Sequence, residues 1–262
     1  MPDGERDLVV ALHPRPSSPE EMLQGTRLHL VAAEHRLAVV YPQGVDGRWG
    51  DDTFTTPARP AGSEDIDFLD HLIAMLRRDP RIGEGPVGVV GYSNGAGMAL
   101  RYAAERPAEV RAVVAVAGQL PRDAAVRPTG RVPLLVVHGT ADTITPFDTG
   151  VPDEPGRRAR DLTPTLSTPG TVAAFVAMAT GSVDHQVTDE VDPDPSDSTR
   201  LRTERWVDGM GTVAVLRMLV DGGHSWPGAD GPFASGRFGP ASRDVDATAA
   251  AIDFVVDPDA AN

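Results

Sequence analysis

Within "VVGYSNGAGMALRYAAERP", Val89 to Pro107, a serine is bracketed by glycines as Gly91-Tyr92-Ser93-Asn94-Gly95, between an apolar run and a helical one. A strand turning sharply into a helix there would lift Ser93 onto a strained turn above the strand ends. The two glycines would let strand and helix cross closely. A serine hydroxyl is too weakly acidic to attack an ester unaided, so this chemistry requires a base and an orienting acid further along the chain. "VPLLVVHGTADTITP" carries Asp142 just past an apolar run, and "VLRMLVDGGHSWPG" carries His224 just past the last one. In that arrangement His224 takes the Ser93 proton and later gives it to the leaving alcohol, while Asp142 fixes the imidazole tautomer and stabilises the cation. Activity is expected to rise as the histidine becomes neutral, because only neutral imidazole accepts the serine proton.

Negative charge forming on the attacked carbonyl needs two preorganised N–H donors. One is expected from the backbone of Asn94, at the start of the helix. The other is expected from "VVALHPRPSS", where Pro14 and Pro16 have no N–H and Arg15 remains. Among other acids, Asp148 and Asp221 rival Asp142. His138 falls too early in the Ser, Asp, His order and reads as structural. His29, His35 and His71 fall on predicted helices, and His185 lies in a polar stretch without a preceding strand.

These side chains must be delivered by a scaffold. Six valine-rich apolar runs read as strands: Leu8–Leu12, Leu37–Tyr41, Val87–Val90, Val110–Ala117, Leu134–Val137 and Val213–Val220. They mostly lack alternation, as strands buried on both faces do, so a mainly parallel sheet covered by helices is expected. Ser18, Pro19 and Glu21 form a capping box that opens a helix toward Leu30. Ser63 precedes a helix whose Ile66, Leu69, Leu72, Ile73 and Leu76 share one face. Further helices are expected over Thr171–Ala179 and after Ser242, with Val245, Ala249, Ile252 and Val256 facing inward. Residues 148–170 and 184–200 read as loops at the sheet rim. Asp142 and His224 both fall where strand C-termini deliver residues to one rim. The chain shows no internal repeat, and residues 1–262 are read as one α/β catalytic domain.

The 262 residues carry 38 acids against 24 bases, a net charge of −14, and no basic stripe offsets a field that repels nucleic acid. No apolar run approaches the roughly 20 residues of a membrane span. Zero cysteines exclude disulfides, zinc–thiolate sites and a thiol nucleophile, and no His/Asp/Glu spacing suggests a catalytic metal. The acidic run Asp189 to Ser198 reads as a solvated loop. "MPDGERDLVV" lacks the pattern of a secretory signal, so the chain is expected to be intracellular or to have had an export signal removed.

In this order, "LVVALH", "VVYPQGVDGRWGDD", "DIDFLDHLI", "GYSNGAGMA", "VAVAGQLP", "HGTADTITP" and "DGGHSWPG" resemble the poly(3-hydroxybutyrate) depolymerase-like esterases, relatives of the feruloyl and acetylxylan esterases. The resemblance covers nearly the whole chain and implies an α/β-hydrolase fold, no cofactor, and a serine esterase acting on acyl or aryl esters. Ser93, Asp142 and His224 match its triad. Three departures stand out. Pro14 replaces the glycine that usually follows the first-strand histidine. Cysteines common in the family's later half are missing from "MATGSVDH" and "WVDGMGTV". The family usually has an export signal and extra N-terminal strands, so a sheet shortened at that edge is expected.

The function expected from these readings is hydrolysis of an ester, small, soluble or polymeric, through an acyl-enzyme. Trp49, Trp226 and Tyr92 are candidate substrate-contacting residues, since an aromatic wall would suit aryl esters or a polyester chain. Without a polymer-binding module, small or soluble esters are favoured over crystalline polymer. A peptidase or acyltransferase on the same triad, and a catalytically silent hydrolase fold used for binding, stand as alternatives.

Overall fold

The computed structural model describes residues 5–53, 64–122, 126–148, 164–234 and 238–260. Its strands are β1 Leu8–Leu12, β2 Ala38–Val40, β3 Val87–Tyr92, β4 Val110–Val116, β5 Leu134–Gly139, β6 Asp184–Val187, β7 Arg200–Asp208 and β8 Gly211–Val220. They form one sheet in the order β2-β1-β3-β4-β5-β8-β7-β6. From β2 to β8 every pair is parallel, and only β8–β7 and β7–β6 are antiparallel. In the parallel part β1, β3 and β5 are buried along their whole length. That is why their sequences run continuously apolar instead of alternating.

The helices are α1 Pro19–Thr26, α2 Leu28–Glu34, α3 Asp65–Leu76, α4 Asn94–Glu105, α5 Thr168–Val176 and α6 Ala247–Val256. One core joins Ile66, Leu69 and Ile73 of α3, Met98 and Leu100 of α4, and Phe175 of α5 to one sheet face. On the other face Met22 of α1, Leu28 of α2 and Ile252 and Phe254 of α6 make a second core. This is the mainly parallel, helix-covered sheet expected from the strand pattern, and the α/β-hydrolase architecture that the resemblance implies.

Three sequence expectations shift. The helix opened by the Ser18 cap divides in two, because Arg27 takes a left-handed conformation (φ 52°) and its N–H bonds back to Leu23. The helix placed at Thr171–Ala179 starts earlier, at Thr168, where the Ser167 hydroxyl accepts from the Gly170 N–H. The stretch 184–200, read as a loop, contains β6, which pairs with a strand over 200–208 that the apolar runs did not reveal. That hairpin is half-exposed or exposed over most of its length, so its strands carry Arg, Glu and Asp and give no apolar signal. The acidic run 189–198 is largely exposed, with Asp194 paired to Arg243. Ser63 and residues 149–163 lie outside the described residues. At the opposite sheet margin, β2 is the last described strand and only three residues long.

Candidate active site

Parallel strands discharge their C-terminal ends at one rim, and four of them supply the candidate residues. β1 leads into His13–Arg15, β3 into Ser93, β5 into Asp142 and β8 into His224. Ser93 sits between β3 and α4 with φ 56° and ψ −120°, a conformation that costs an L-residue energy and must be imposed by its surroundings. Two close approaches surround it. A Cβ at Gly91 would collide with the Gly95 carbonyl, and a Cβ at Gly95 would collide with the Leu12 carbonyl of β1. The glycines of the motif therefore let α4 start directly over two strand ends. As the helix opens, the carbonyl of Ser93 accepts from the N–H groups of Ala96 and Gly97. The N–H of Asn94 lies at the helix start, where amides have no intrahelical partner.

Residues far apart in the chain meet here. The imidazole Nε2 of His224 is 2.9 Å from Ser93 Oγ, and its Nδ1 is 2.7 Å from Asp142 Oδ2. Asp142 is buried, and its other oxygen Oδ1 accepts from the N–H groups of Ile144 and Thr145, both at 2.8 Å. Burial by itself would raise the Asp142 pKa. The charge of His224 and hydrogen bonds from His138 and His224 outweigh it and hold the carboxyl far below the usual carboxylate range. Asp148 and Asp221, the rival acids, are exposed, and Asp221 is 3.3 Å from Arg200.

The histidine is held from the side as well. The Tyr92 ring stacks on it with centroids 5.5 Å apart, and the Tyr92 hydroxyl donates to the His224 carbonyl. Edge contacts to Trp226 and Phe233 fix the Tyr92 ring in turn. Tyr92, Trp49 and Trp226, the candidate substrate-contacting residues, are 5%, 1% and 1% exposed and pack among the loops around the site. The Trp226 indole donates to the Thr248 hydroxyl, and the Trp49 indole to the His13 carbonyl. An indole N–H must find a partner once buried, and both found it in the framework. These rings brace the loops that carry the site.

Trp49 belongs to a strut that sequence reasoning missed. The Asn94 side chain accepts from the Trp49 N–H at 2.8 Å and donates to the Trp49 carbonyl at 3.1 Å. Trp49 then holds the His13 carbonyl, and His13 Nε2 accepts from the Gly44 N–H at 3.0 Å. The strut is itself anchored: Gly50 N–H donates to Asp65, and Arg101 pairs with Asp52 inside the protein. It thus ties the residue after Ser93 to the start of the loop bearing Pro14 and Arg15. Pro14 is buried and its carbonyl accepts from His13 Nδ1, while Arg15 is half-buried and joined to Pro16 by a cis peptide bond. Only the tryptophan in "GRWGDD" hinted at this strut, and nothing in the spacing paired it with Asn94.

His138, read as structural, also reaches the site: its Nε2 is 3.2 Å from Asp142 Oδ2. His29 and His71 lie on α2 and α3 and His35 caps α2, where the helical pattern put them. His185, in the polar stretch 184–200 that reads as a loop, is on β6, stacked on Trp206.

Among the described residues no helix is long and apolar enough to cross a membrane. The profile of the Dienelactone hydrolase family matches residues 53–159. "Putative esterase NocK" of Nocardia uniformis subsp. tsuyamanensis is 34% identical over 262 residues, covering 98% of this chain and 75% of that protein. Feruloyl esterase C of Emericella nidulans is 27% identical over 163 residues, 58% of this chain and 56% of that enzyme. Among solved structures, esterase PE8 superimposes with a TM-score of 0.53 at 18% identity, over 97% of this chain and 93% of that one.

Proposed function

The chain belongs to one family with the putative esterase of Nocardia uniformis and is a carboxylic-ester hydrolase of the α/β-hydrolase type, and we propose that it works as a dienelactone-hydrolase-like enzyme through Ser93, His224 and Asp142 by way of an acyl-enzyme. The observation that carries this reading is the unbroken run of short contacts, 2.9 Å from Ser93 to His224 and 2.7 Å from His224 to Asp142.

In the proposed sequence, the Ser93 hydroxyl donates to His224 Nε2 and its oxygen attacks the ester carbonyl. As the bond forms, the proton passes to Nε2, and Asp142 stabilises the resulting cation. The N–H groups of Asn94 and Arg15 receive the oxyanion. Collapse breaks the bond to the alcohol oxygen, which takes the proton from His224. Water then repeats the cycle on the acyl-enzyme and releases the carboxylic acid. No step needs a metal or an organic cofactor, and residues 1–262 act as one catalytic domain.

For the substrate we favour small or soluble esters of acyl or aryl acids, including feruloyl-type esters. The motifs shared with the depolymerase-like and feruloyl esterases support that class, as does the partial likeness to feruloyl esterase C.

A burst experiment tests the acyl-enzyme. Mixing the protein with excess p-nitrophenyl acetate should release close to one equivalent of p-nitrophenol per chain before a slower steady state, if deacylation is the slower half. Steady turnover should rise from acid to neutral pH. A rate independent of pH across that range would rule out histidine as the base.

A further inference from the structure

We propose that His138 is a positioning residue for this reaction: as the neutral Nε2–H tautomer it donates to Asp142 and to the loop that carries Asp142. This inference rests on the triad reading above. It starts from a buried run of hydrogen bonds that the reaction itself does not use.

The protons in that run can be assigned by elimination. Gln119 Nε2 is 2.9 Å from the Pro146 carbonyl, which only accepts, so this end of the side chain is the N–H end. Its Oε1 accepts from the Thr165 hydroxyl at 2.6 Å. The same Gln119 nitrogen donates to Thr168 Oγ1 at 2.9 Å. Thr168 must send its own hydrogen to an acceptor, and its contact to His138 Nδ1, at 2.9 Å, supplies one. Nδ1 therefore accepts. On the far side of the ring, Nε2 is 2.8 Å from the Thr145 carbonyl and 3.2 Å from Asp142 Oδ2, both acceptors. Nε2 therefore carries the proton and shares it between them. Every polar atom in the run is satisfied by one arrangement, and that arrangement leaves a donor aimed at the acid.

His138 and Asp142 are four residues apart at the end of β5, and both side chains are fully buried. Asp142 Oδ2 thus meets three groups: His224 Nδ1, Thr145 Oγ1 at 2.9 Å, and His138 Nε2. A carboxylate held on several sides cannot swing away from the imidazole it orients. Because the bond is three-centred, His138 also ties the acid to the 142–145 turn. Through Thr168 and Gln119 the hold extends to the start of α5 and to the loop after β4.

Glutamine and asparagine at 138 separate positioning from mere filling. A glutamine amide N–H reaches about as far from the backbone as Nε2, whereas an asparagine amide reaches only as far as Nδ1. Steady-state kinetics with p-nitrophenyl acetate should show His138→Asn losing roughly tenfold in kcat with KM unchanged, as expected for one buried hydrogen bond to a charged group. His138→Gln should stay within about threefold of the parent, because it restores the donor. Thr168→Val keeps the shape but removes the hydroxyl that fixes the tautomer, and should lower kcat roughly threefold to fivefold with KM unchanged. Thermal melts of all three report folding separately. Equal kcat losses in the Gln and Asn variants, or parental kcat in the Asn variant, would overturn the proposal. If His138→Asn does not fold, parental kcat in Thr168→Val overturns it instead. Activity that disappears in Ser93→Ala but is untouched by these variants contradicts His138 alone, whereas an unmodified protein without activity overturns the triad reading and this one together.

Discussion

Replacing Ser93 by alanine should lower turnover of p-nitrophenyl acetate by roughly 10⁶-fold and leave the melting temperature close to the parent's. The loss is large because the attacking oxygen itself is gone. The fold should survive because the Ser93 side chain makes no capping bond to α4, and the close strand–helix crossing depends on Gly91 and Gly95 rather than on its hydroxyl. Removing Ser93 and His224 together should cost little more than removing either, since each works only through the other. Spectrophotometric kinetics on the three variants check this. Two losses that multiplied would mean that the serine and histidine act independently.

The second large effect concerns Asp142→Asn, expected to lower kcat about 10⁴-fold although the side chain keeps its size. The site dictates which way the new amide must face. Oδ1 accepts from two backbone N–H groups, of Ile144 and Thr145, so the amide oxygen must occupy that position. Its NH₂ then points at His224 Nδ1, where the carboxylate had accepted. His224 can satisfy it only by turning Nδ1 into an acceptor and moving its proton to Nε2, where it can no longer take a proton from Ser93. The same NH₂ opposes the His138 and Thr145 donors.

Stability should respond as well, with a definite sign. Asp142 has its pKa depressed in the folded chain, so its contribution is fully present above the ordinary carboxylate pKa of ~4 and is lost as pH falls through the folded value. Denaturant unfolding should therefore show parent and Asp142→Asn separated at neutral pH and converging only well below pH ~4. Convergence already at pH ~6 would show that the carboxyl is not held low.

Much of this arrangement is legible in the sequence because parallel sheets make it so. Strands such as Val87–Tyr92 and Leu134–Gly139 are buried on both faces, which leaves a continuous apolar run ending where the chemistry begins. Ser93, Asp142 and His224 each follow such a run, and glycines at 91 and 95 mark the crossing of strand and helix. What was not legible depends on contacts between distant loops. Asn94 grips Trp49 across 45 residues, and nothing in either neighbourhood marks the other. Trp226 and Tyr92 lie beside the motifs, and adjacency in sequence suggested contact with substrate. Their rings also pack on one another, and that of Tyr92 on His224, contacts that adjacency in sequence does not reveal. The hairpin of β6 and β7 escaped for the opposite reason. Its charged, half-exposed strands carry no apolar run, and only pairing with β8 makes them strands.

The most direct test of the central claim is to find the atom that becomes acylated. Treating the protein with a p-nitrophenyl alkylphosphonate and mapping the adduct by peptide mass spectrometry reports it at the level of one residue. We expect one phosphonyl group per chain, on Ser93, added in step with loss of esterase activity and absent from Ser93→Ala. An adduct on another residue, or full esterase activity in a chain phosphonylated at Ser93, would contradict the account.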